Sequence, residues 1–310
     1  MIGRGRAPGK VILAGEHFVV HGGPAIALPV RAVRKEIEID ARLDPYDHTL
    51  ELRIMDAFPE HDTLREMLVT LLGALVIPTT GEIRITVRSD LTPGAHLGSS
   101  AALAVALVRA VLDFRGLEYP DDEVARLAFE LERIVHKNPS GIDNTVIALD
   151  RPIWFRKGHT PEPIACGLDA TLLLADTGVA SSTAEVVARV GDFRRENAER
   201  FARLIAEAEA VTTRLRAALA TGDARGAGEC LDHNQALLAE VGTSSPELES
   251  LIAAARAAGA LGAKLTGGGG GGNAIALAAP EAAARVKSAL VAAGARGLLE
   301  VPLADFAGSR

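Results

Sequence analysis

The sequence predicts an α+β protein built from two domains. At 310 residues the chain has the length of two domains, or of one large domain, with ample interior for a hydrophobic core. The first forty residues carry strand patterns, and the segments that follow alternate between helical and strand patterns. Hydrophobic residues make up 48% of the chain and charged residues 24%, the balance of an ordinary globular protein. We therefore expect it to fold without a partner.

In the N-terminal half, the spacing of apolar residues predicts both strands and helices. Apolar runs flanked by glycine, or apolar residues that alternate with charged ones, predict strands at 11–13, 25–30, 36–40 and 83–87. Helical spacing, or a long run of Ala, Leu and Val, predicts helices over 62–75, 99–114 and 121–136. The last of these begins with an acidic first turn, which favours a helix N-terminus.

The pattern changes after residue 150. A stretch with several prolines, 151–163, leads into an apolar strand at 171–175 and then into helix-forming residues up to about 223. We place a domain boundary near residue 165, which gives domains 1–165 and 166–310. The remaining elements are predicted helices at 224–241, 246–258 and 280–294, and predicted strands at 273–278 and 297–302.

Charge and cysteine content exclude several classes of protein. The formal net charge is −7, so no global basic field is available to hold a nucleic acid or an anionic membrane. Cys166 and Cys230 are the two cysteines, and their spacing supports neither a disulfide framework nor a zinc module, so we expect buried thiols. Charge or glycine interrupts every long apolar stretch, and the first ten residues have no apolar core. These features predict a cytoplasmic protein.

The first of four distinctive segments, residues 7–17, begins Ala-Pro-Gly-Lys and ends Gly-Glu-His. It places Lys10 at one end of a predicted strand, and Glu16 and His17 at the other. Lysine is rare in this chain, with six in all, and two of them, Lys10 and Lys264, lie inside glycine motifs. The alternative is a tight turn whose charges are solvated.

The second segment, residues 93–102, reads Pro-Gly-Ala-His-Leu-Gly-Ser-Ser-Ala-Ala and precedes the apolar helix. A loop rich in Gly and Ser at a helix N-terminus presents unpaired backbone N–H groups and the positive end of the helix dipole, which suits a phosphate chain. The hydroxyls of Ser99 and Ser100 could reach a metal ion or simply cap the helix. Neither a Walker A motif nor a secure GxGxxG fingerprint is present, so the loop alone leaves both interpretations open.

The third segment is Lys-Leu-Thr at 264–266 followed by six glycines, 267–272, and an apolar strand. Glycines at such a position let another backbone or a ligand approach closely. A flexible linker is the alternative, although linkers are not usually framed so closely by structured segments.

The fourth segment joins Glu132, on a predicted helix, to the turn at 136–144. Pro139 and Gly141 favour a turn that holds Asp143 at a fixed position. An aspartate near a lysine is a suitable general base, because the cation keeps the carboxylate ionised. The alternative is that Asp143 serves as a local cap of the turn.

Taken together and in this order, the four segments resemble the GHMP small-molecule kinases, and among them the mevalonate kinase branch. Residues 94–102 match the family's phosphate loop P-x-G-x-G-L-G-S-S-A, and 264–273 match K-L-T-G-A-G-G-G-G-C. Residues 136–144 resemble H-G-N-P-S-G-hydrophobic-D-N, and the opening 7–22 is similar to that of the mevalonate kinase branch. The departures from these motifs are Thr92, His96, Lys137, Gly268 and Asn273, of which His96 replaces a glycine in the phosphate loop.

The resemblance implies a two-domain α+β kinase whose active site lies in the cleft between the domains. It implies that Asp143 takes the proton from the substrate hydroxyl, and that Lys10 keeps Asp143 ionised and offsets charge on the transferring phosphoryl group. Ser99 and Glu132 are the implied Mg²⁺ ligands. The residues implied to cradle the phosphates of ATP are Pro93, Gly94, Ala95, His96, Leu97, Gly98, Ser99, Ser100 and Ala101. The residues implied to face mevalonate are Glu16, His17, Thr183, Gly267, Gly268 and Gly269.

The reaction that the resemblance implies is transfer of the γ-phosphate of ATP to the 5-hydroxyl of mevalonate. Two alternatives stay open at this point. One is another GHMP kinase, such as a phosphomevalonate kinase or a kinase that modifies a different hydroxyl. The other is a non-catalytic binding protein on the same fold. The sequence leaves open whether the chain forms a homodimer.

Overall fold

The computed structural model describes residues 2–43, 50–55, 61–77, 81–91, 96–136 and 139–308. The chain divides into two compact units. Unit 1 holds the described parts of 1–9, 33–92 and 98–150, and unit 2 those of 10–32, 93–97 and 151–310. The units are therefore not consecutive halves of the chain. The domain boundary near residue 165 stays a prediction.

Two long strands, β1 (Ile2–Ala14) and β2 (Pro24–Leu43), contribute residues to both units. In unit 1, residues 35–43 of β2 pair antiparallel with β4 (Gly81–Ser89), and β4 pairs in parallel with β3 (Leu50–Met55). The helices of unit 1 are α1 (His61–Ala74), α2 (Ser99–Arg115), α3 (Asp121–Val135) and α4 (Ile142–Leu149).

Helix α2 contacts α1, α3 and α4, the other helices of unit 1. Eleven of its residues are buried between Ala101 and Leu112, because nearly all of its faces are apolar. Strand β1 approaches this helix through Gly3 and Gly5, where an added Cβ would overlap the carbonyl groups of Ala110 and Ala106. The Gly/Arg-rich N-terminus is thus a strand whose glycines face a helix.

Six further strands lie in unit 2: β5 (Ile153–Arg156), β6 (Glu162–Pro163), β7 (Thr171–Asp176), β8 (Gly262–Leu265), β9 (Asn273–Ala278) and β10 (Gly297–Pro302). Four of them form an antiparallel sheet in the order β10-β7-β9-β8. Separately, residues 24–27 of β2 pair with β5, and β5 pairs with β6. The helices of unit 2 are α5 (Thr183–Glu196), α6 (Ala198–Thr221), α7 (Ala224–Glu240), α8 (Pro246–Ala257) and α9 (Pro280–Ala292).

The structure confirms the predicted helices and strands, most of them to within a few residues at each end, whereas the strand predicted at 11–13 begins at Ile2. It also shows elements that the patterns did not reveal. The predicted strands at 25–30 and 36–40 are parts of one strand, β2, and the helix-forming run up to 223 is two helices that meet at Asn197. The short helix α4 follows the turn at Gly141. Both cysteines are buried, as predicted.

Among the described residues, no helix combines the length and the apolar character needed to cross a membrane.

Candidate active site

In unit 1, the N-terminus of α2 is formed by the glycine and the two serines of the phosphate-loop segment. Gly98, with a φ of 77°, is the N-cap residue of the helix. Glycine has no side chain, so the N-cap residue makes no side-chain capping hydrogen bond. Ser99 and Ser100 form the first turn with half-buried side chains. The hydroxyls therefore do not serve as the N-cap, which was the alternative to a ligand-binding role. Pro93, Gly94 and Ala95 lie outside the described residues.

A buried carboxylate faces this helix start. The Ser100 hydroxyl donates a hydrogen bond to Oε1 of Glu132 at 2.5 Å. Glu132 lies in the last turn of α3 and is 4% exposed. The sequence predicted that Ser99 and Glu132 act together, and the serine that the structure joins to Glu132 is Ser100. This difference arises because successive residues of a helix point in directions about 100° apart.

Asp143 is the second residue of α4, and its side chain is half-buried. One backbone conformation and two hydrogen bonds fix the start of this helix. Gly141 adopts a φ of 89°, its carbonyl accepts from the Thr145 hydroxyl at 2.6 Å, and Asn144 donates to the Ala125 carbonyl at 2.8 Å. The residue before the helix is Gly141 rather than an aspartate, so the local-cap alternative for Asp143 is not what the structure shows. Asp143 is held at a helix N-terminus anchored to α3.

In unit 2, the charges of the first segment are removed from water. Lys10 is 3% exposed within β1, and its backbone N–H donates to the Leu97 carbonyl at 2.9 Å. Glu16 is 2% exposed in the turn that follows β1. The solvated-turn alternative is therefore wrong for both residues.

Glu16 is held by two partners from the second half of the chain. Nζ of Lys264 donates to Oε1 of Glu16 at 2.5 Å, and the side-chain amide of Asn234 donates to Oε2 at 3.2 Å. Lys264 is fully buried, and its ammonium group also donates to the Leu265 carbonyl. Burial lowers the pKa of Lys264, the Glu16 carboxylate opposes this shift, and the nearby charge of Lys10 adds to it.

The sequence motifs did not predict that Lys264 and Asn234 belong to this cluster. The signal for Lys264 was present, because it is one of only six lysines and directly precedes the glycine run. Asn234 lies on α7 without any surrounding motif, so no local pattern could have revealed it.

His17 has a φ of 61° and lies beside the glycine-rich loop. Its Nε2 is 3.0 Å from the Gly268 carbonyl oxygen. Because a carbonyl only accepts hydrogen bonds, Nε2 carries the proton. Burial lowers the pKa of His17, the hydrogen bond to Gly268 opposes this shift, and the charge of Lys264 adds to it.

The six glycines at 267–272 form an ordered loop between β8 and β9. Gly267 and Gly269 have φ values of 79° and 76°, which favour glycine. Gly270 donates to the Thr243 carbonyl at 2.7 Å, and Gly272 donates to the Val179 carbonyl at 2.9 Å. These contacts exclude the flexible-linker alternative and confirm that other backbone segments approach the glycines closely.

The threonine before the glycines ties this loop to β1. Thr266 is fully buried, and its hydroxyl accepts from the backbone N–H of Ile12 at 3.1 Å and donates to the Ile12 carbonyl at 3.0 Å. Thr183, which was predicted to face the substrate, is the exposed first residue of α5.

The predicted site residues thus form two groups, one in each unit. Unit 1 brings together Gly98, Ser99, Ser100 and Ala101 at the start of α2, with Glu132 beside them, and it also holds Asp143. Unit 2 holds Lys10, Glu16, His17, His96, Leu97, Thr183 and Gly267–Gly269. Among the described residues, no cluster of three or more His, Cys, Asp or Glu could hold a metal ion. The oxygen donors of Ser100 and Glu132 nevertheless fit Mg²⁺, which takes one or two carboxylates and completes its shell with water and substrate phosphates.

The chain is similar to known proteins over nearly its whole length. Residues 63–150 match the model of the GHMP kinases N terminal domain, and residues 215–296 match that of the GHMP kinases C terminal. A mevalonate kinase of Aeropyrum pernix is 35% identical over 281 residues, which cover 85% of each chain. A mevalonate kinase of Pyrococcus furiosus is 32% identical, with 93% of this chain and 92% of the relative covered.

The chain is also similar to a solved structure of a mevalonate kinase. The crystal structure of L. major mevalonate kinase in complex with R-mevalonate superposes with a TM-score of 0.84 at 31% identity, covering 96% of this chain and 94% of that one. The chain therefore belongs to the GHMP kinase family, whose members are ATP-dependent phosphotransferases. Within that family, the relatives just described are mevalonate kinases, which confirms the resemblance and the two-domain α+β fold class.

Proposed function

We propose that the chain transfers the γ-phosphoryl group of ATP to the 5-hydroxyl of mevalonate and so forms 5-phosphomevalonate, a step of isoprenoid biosynthesis. The observation that carries this proposal is the similarity to mevalonate kinases at 32–35% identity across most of the chain. The solved relative with R-mevalonate bound supports the same substrate.

The start of α2 supplies the site for the phosphates. Phosphoryl transfer depends on in-line positioning and on neutralising the charge of the transferring group. The unpaired N–H groups of the first turn, which includes Ser99, Ser100 and Ala101, present partial positive charge to an anion. No acidic residue lies in that turn to oppose it. We assign the phosphates of ATP to this turn and to the preceding loop, 93–98.

Ser100 and Glu132 are the residues we propose for Mg²⁺, with Ser99 as the neighbouring ligand that the sequence predicted. The hydroxyl and the carboxylate already meet, so a hard cation finds two oxygen donors at the helix start. When bound, Mg²⁺ neutralises negative charge on the phosphate oxygens.

Asp143 is the proposed general base. Its place in the first turn of a short, anchored helix fixes the direction of its carboxylate, and it accepts the proton of the substrate hydroxyl as the oxygen attacks phosphorus. Lys10 is proposed to offset charge on the transferring group. The pairing of Lys10 with Asp143 stays a prediction.

On the mevalonate side, we propose that His17, Thr183 and the loop Gly267–Gly269 face the substrate. Glu16 was predicted among these residues. Since both of its carboxylate oxygens are engaged by Lys264 and Asn234, we propose that Glu16 contributes by fixing the turn that carries His17.

Coupled ADP release tests the proposal directly. The assay uses MgATP with mevalonate, 5-phosphomevalonate, homoserine or galactose in turn, and phosphorus NMR locates the phosphate on the product. We expect activity on mevalonate and a 5-phosphate product. Activity on 5-phosphomevalonate alone would favour the phosphomevalonate kinase alternative, and no activity on any of the four would favour the non-catalytic one. A cytoplasmic location stays a prediction of the sequence, and whether the chain forms a homodimer stays open.

A further inference from the structure

His96 occupies a position in the phosphate-loop segment where a glycine is expected from the family motif. Its φ of 59° lies in the left-handed region, which favours glycine and is tolerated by few other residues. The backbone conformation therefore suits glycine, and the contacts of the imidazole indicate what a histidine contributes at this position.

The ring lies against the glycine-rich loop 267–272. A Cβ added at Gly267 would come within 2.7 Å of the His96 Cβ, and one at Gly268 within 3.2 Å of its Cε1. A Cβ at Gly272 would overlap the ring at Cδ2. The imidazole of His96 therefore occupies the space that side chains at Gly267, Gly268 and Gly272 would fill.

A chain of hydrogen bonds links the ring to the loop backbone. The Ser181 hydroxyl donates to the Gly269 carbonyl at 2.6 Å, and the same oxygen is 2.8 Å from Nε2 of His96. A hydroxyl has a single proton, so Ser181 can only accept from His96, and Nε2 must carry a proton. Nδ1 is 3.5 Å from the Thr183 hydroxyl, a longer contact at the start of α5.

A run of six glycines has more conformational freedom to lose than any other sequence of its length. Two adjacent carbonyls of this run accept hydrogen bonds that involve a histidine, one directly and one through a serine hydroxyl. His17 donates to Gly268, and His96 acts through Ser181 on Gly269. Both carbonyls belong to the part of the loop assigned to mevalonate.

We propose that His96 is a positioning residue for mevalonate: through the N–H of Nε2 and the Ser181 hydroxyl it fixes the Gly269 carbonyl and so preorganises the glycine-rich loop. This proposal rests on the proposed function. The position of His96 in the sequence implies contact with the phosphates of ATP. The proposal adds a role in the binding of mevalonate, the phosphate acceptor.

Three substitutions separate the contacts of the ring. His96→Gly removes both nitrogens and suits the local φ. His96→Gln places an amide N–H at about the reach of Nε2, whereas His96→Asn places one at about the reach of Nδ1. We expect His96→Gly and His96→Asn to raise the KM for mevalonate about tenfold, the worth of one well-formed hydrogen bond, with a smaller change in kcat and in the KM for ATP. His96→Gln should recover most of the affinity.

Amide hydrogen exchange of the peptide 266–273 gives a readout that needs no substrate. We expect faster exchange in His96→Gly and Ser181→Ala than in the wild type, because the loop then opens more often. His159→Gly, at an exposed histidine in a turn, is the matched control and should leave both the exchange and the kinetics unchanged.

The proposal is overturned if His96→Gly keeps the wild-type KM for mevalonate, if only the KM for ATP rises, or if His96→Asn recovers the affinity while His96→Gln does not. It is also overturned if loop exchange is unchanged in His96→Gly. Inactivity of the wild type on mevalonate would instead remove the proposed function, and the exchange experiment would still report whether His96 orders the loop.

Discussion

The two units place their charged groups in different environments. In unit 1, Asp143 and the Ser100–Glu132 pair lie at helix termini, and Asp143 and Ser100 keep partly exposed side chains. In unit 2, Glu16 and Lys264 are 2% and 0% exposed and bind each other. A carboxylate that reacts must reach its substrate, whereas a buried ion pair chiefly fixes the segments that carry it.

The sequence motifs alone do not distinguish residues that could react with a substrate from residues that fix the surrounding segments. Glu16, His17 and Asp143 all stand in the segments that resemble GHMP kinases. If the proposed roles are correct, substitutions at the helix termini of unit 1 act on turnover and metal use. Substitutions in the buried cluster of unit 2 should act on stability and on substrate affinity.

The largest effect is expected for Asp143→Asn. Loss of a general base lowers kcat by about 10²–10⁴-fold, while the half-buried position predicts little change in thermal stability. Steady-state kinetics and a melting curve measure the two effects. Asp122→Asn is the control, because Asp122 is also the second residue of its helix and is exposed. Near wild-type turnover in Asp143→Asn would remove Asp143 from the role of base.

Breaking the buried pair of Glu16 and Lys264 should have an effect of nearly the same size, but on the free energy of unfolding rather than on kcat. Lys264→Met leaves the Glu16 carboxylate buried without its cation, which we expect to lower the free energy of unfolding by about 3–5 kcal/mol. Urea denaturation measures it. Lys287→Met breaks a pair of the same 2.5 Å length whose side chains are about half exposed, and it should cost less than about 1 kcal/mol. Equal losses in the two variants would contradict the distinction between the units.

A moderate effect on metal use is expected at the start of α2. Ser100→Ala should raise the Mg²⁺ concentration needed for half-maximal activity about tenfold, since it removes an oxygen donor beside Glu132. Ser99→Ala is the matched variant one residue away. A Mg²⁺ titration at fixed ATP compares them, and a larger effect of Ser99→Ala would favour Ser99, the ligand that the sequence predicted.

The smallest effect concerns pH. Because burial holds the pKa of His17 below 6.5, the unfolded chain binds more protons than the folded one between that lowered pKa and 6.5. Stability therefore falls as the pH drops through this window and is fully present above it. We expect the free energy of unfolding to fall less in His17→Gln than in the wild type between pH 7.5 and 5.5, since each tenfold difference in proton affinity between the folded and unfolded states is worth about 1.4 kcal/mol.

Denaturant unfolding at several pH values measures this difference. The pKa of His21 is also lowered, by burial and by the charges of Arg194 and His17, so His21→Gln serves as a second variant with the same expected sign. Parallel curves for the wild type and His17→Gln would contradict the predicted shift.

Much of this fold could be predicted because its periodic elements are strongly patterned. The apolar helix α2 and the buried strands β7 and β9 follow directly from their residues. Strand β1 could not be predicted at its start, because Gly3 and Gly5 replace the apolar residues that normally mark a buried face.

The site was predictable only as far as local motifs extend. The motifs indicated Asp143 and Glu132, but the choice between Ser99 and Ser100 depends on the rotation of a helix relative to its neighbour. Partners that join distant segments, such as Asn234 with Glu16, carry no local signal, since 218 residues separate them. Tertiary packing alone brings them together.

We propose above all that this chain phosphorylates mevalonate at the 5-hydroxyl with Asp143 as the base. The most direct test is phosphorus NMR of the reaction of R-mevalonate with MgATP, followed over time for the wild type and for Asp143→Asn. We predict a single new 5-phosphate resonance that forms at least about a hundredfold more slowly in the variant. A phosphate on the 3-hydroxyl, or equal rates in the two proteins, would contradict the claim.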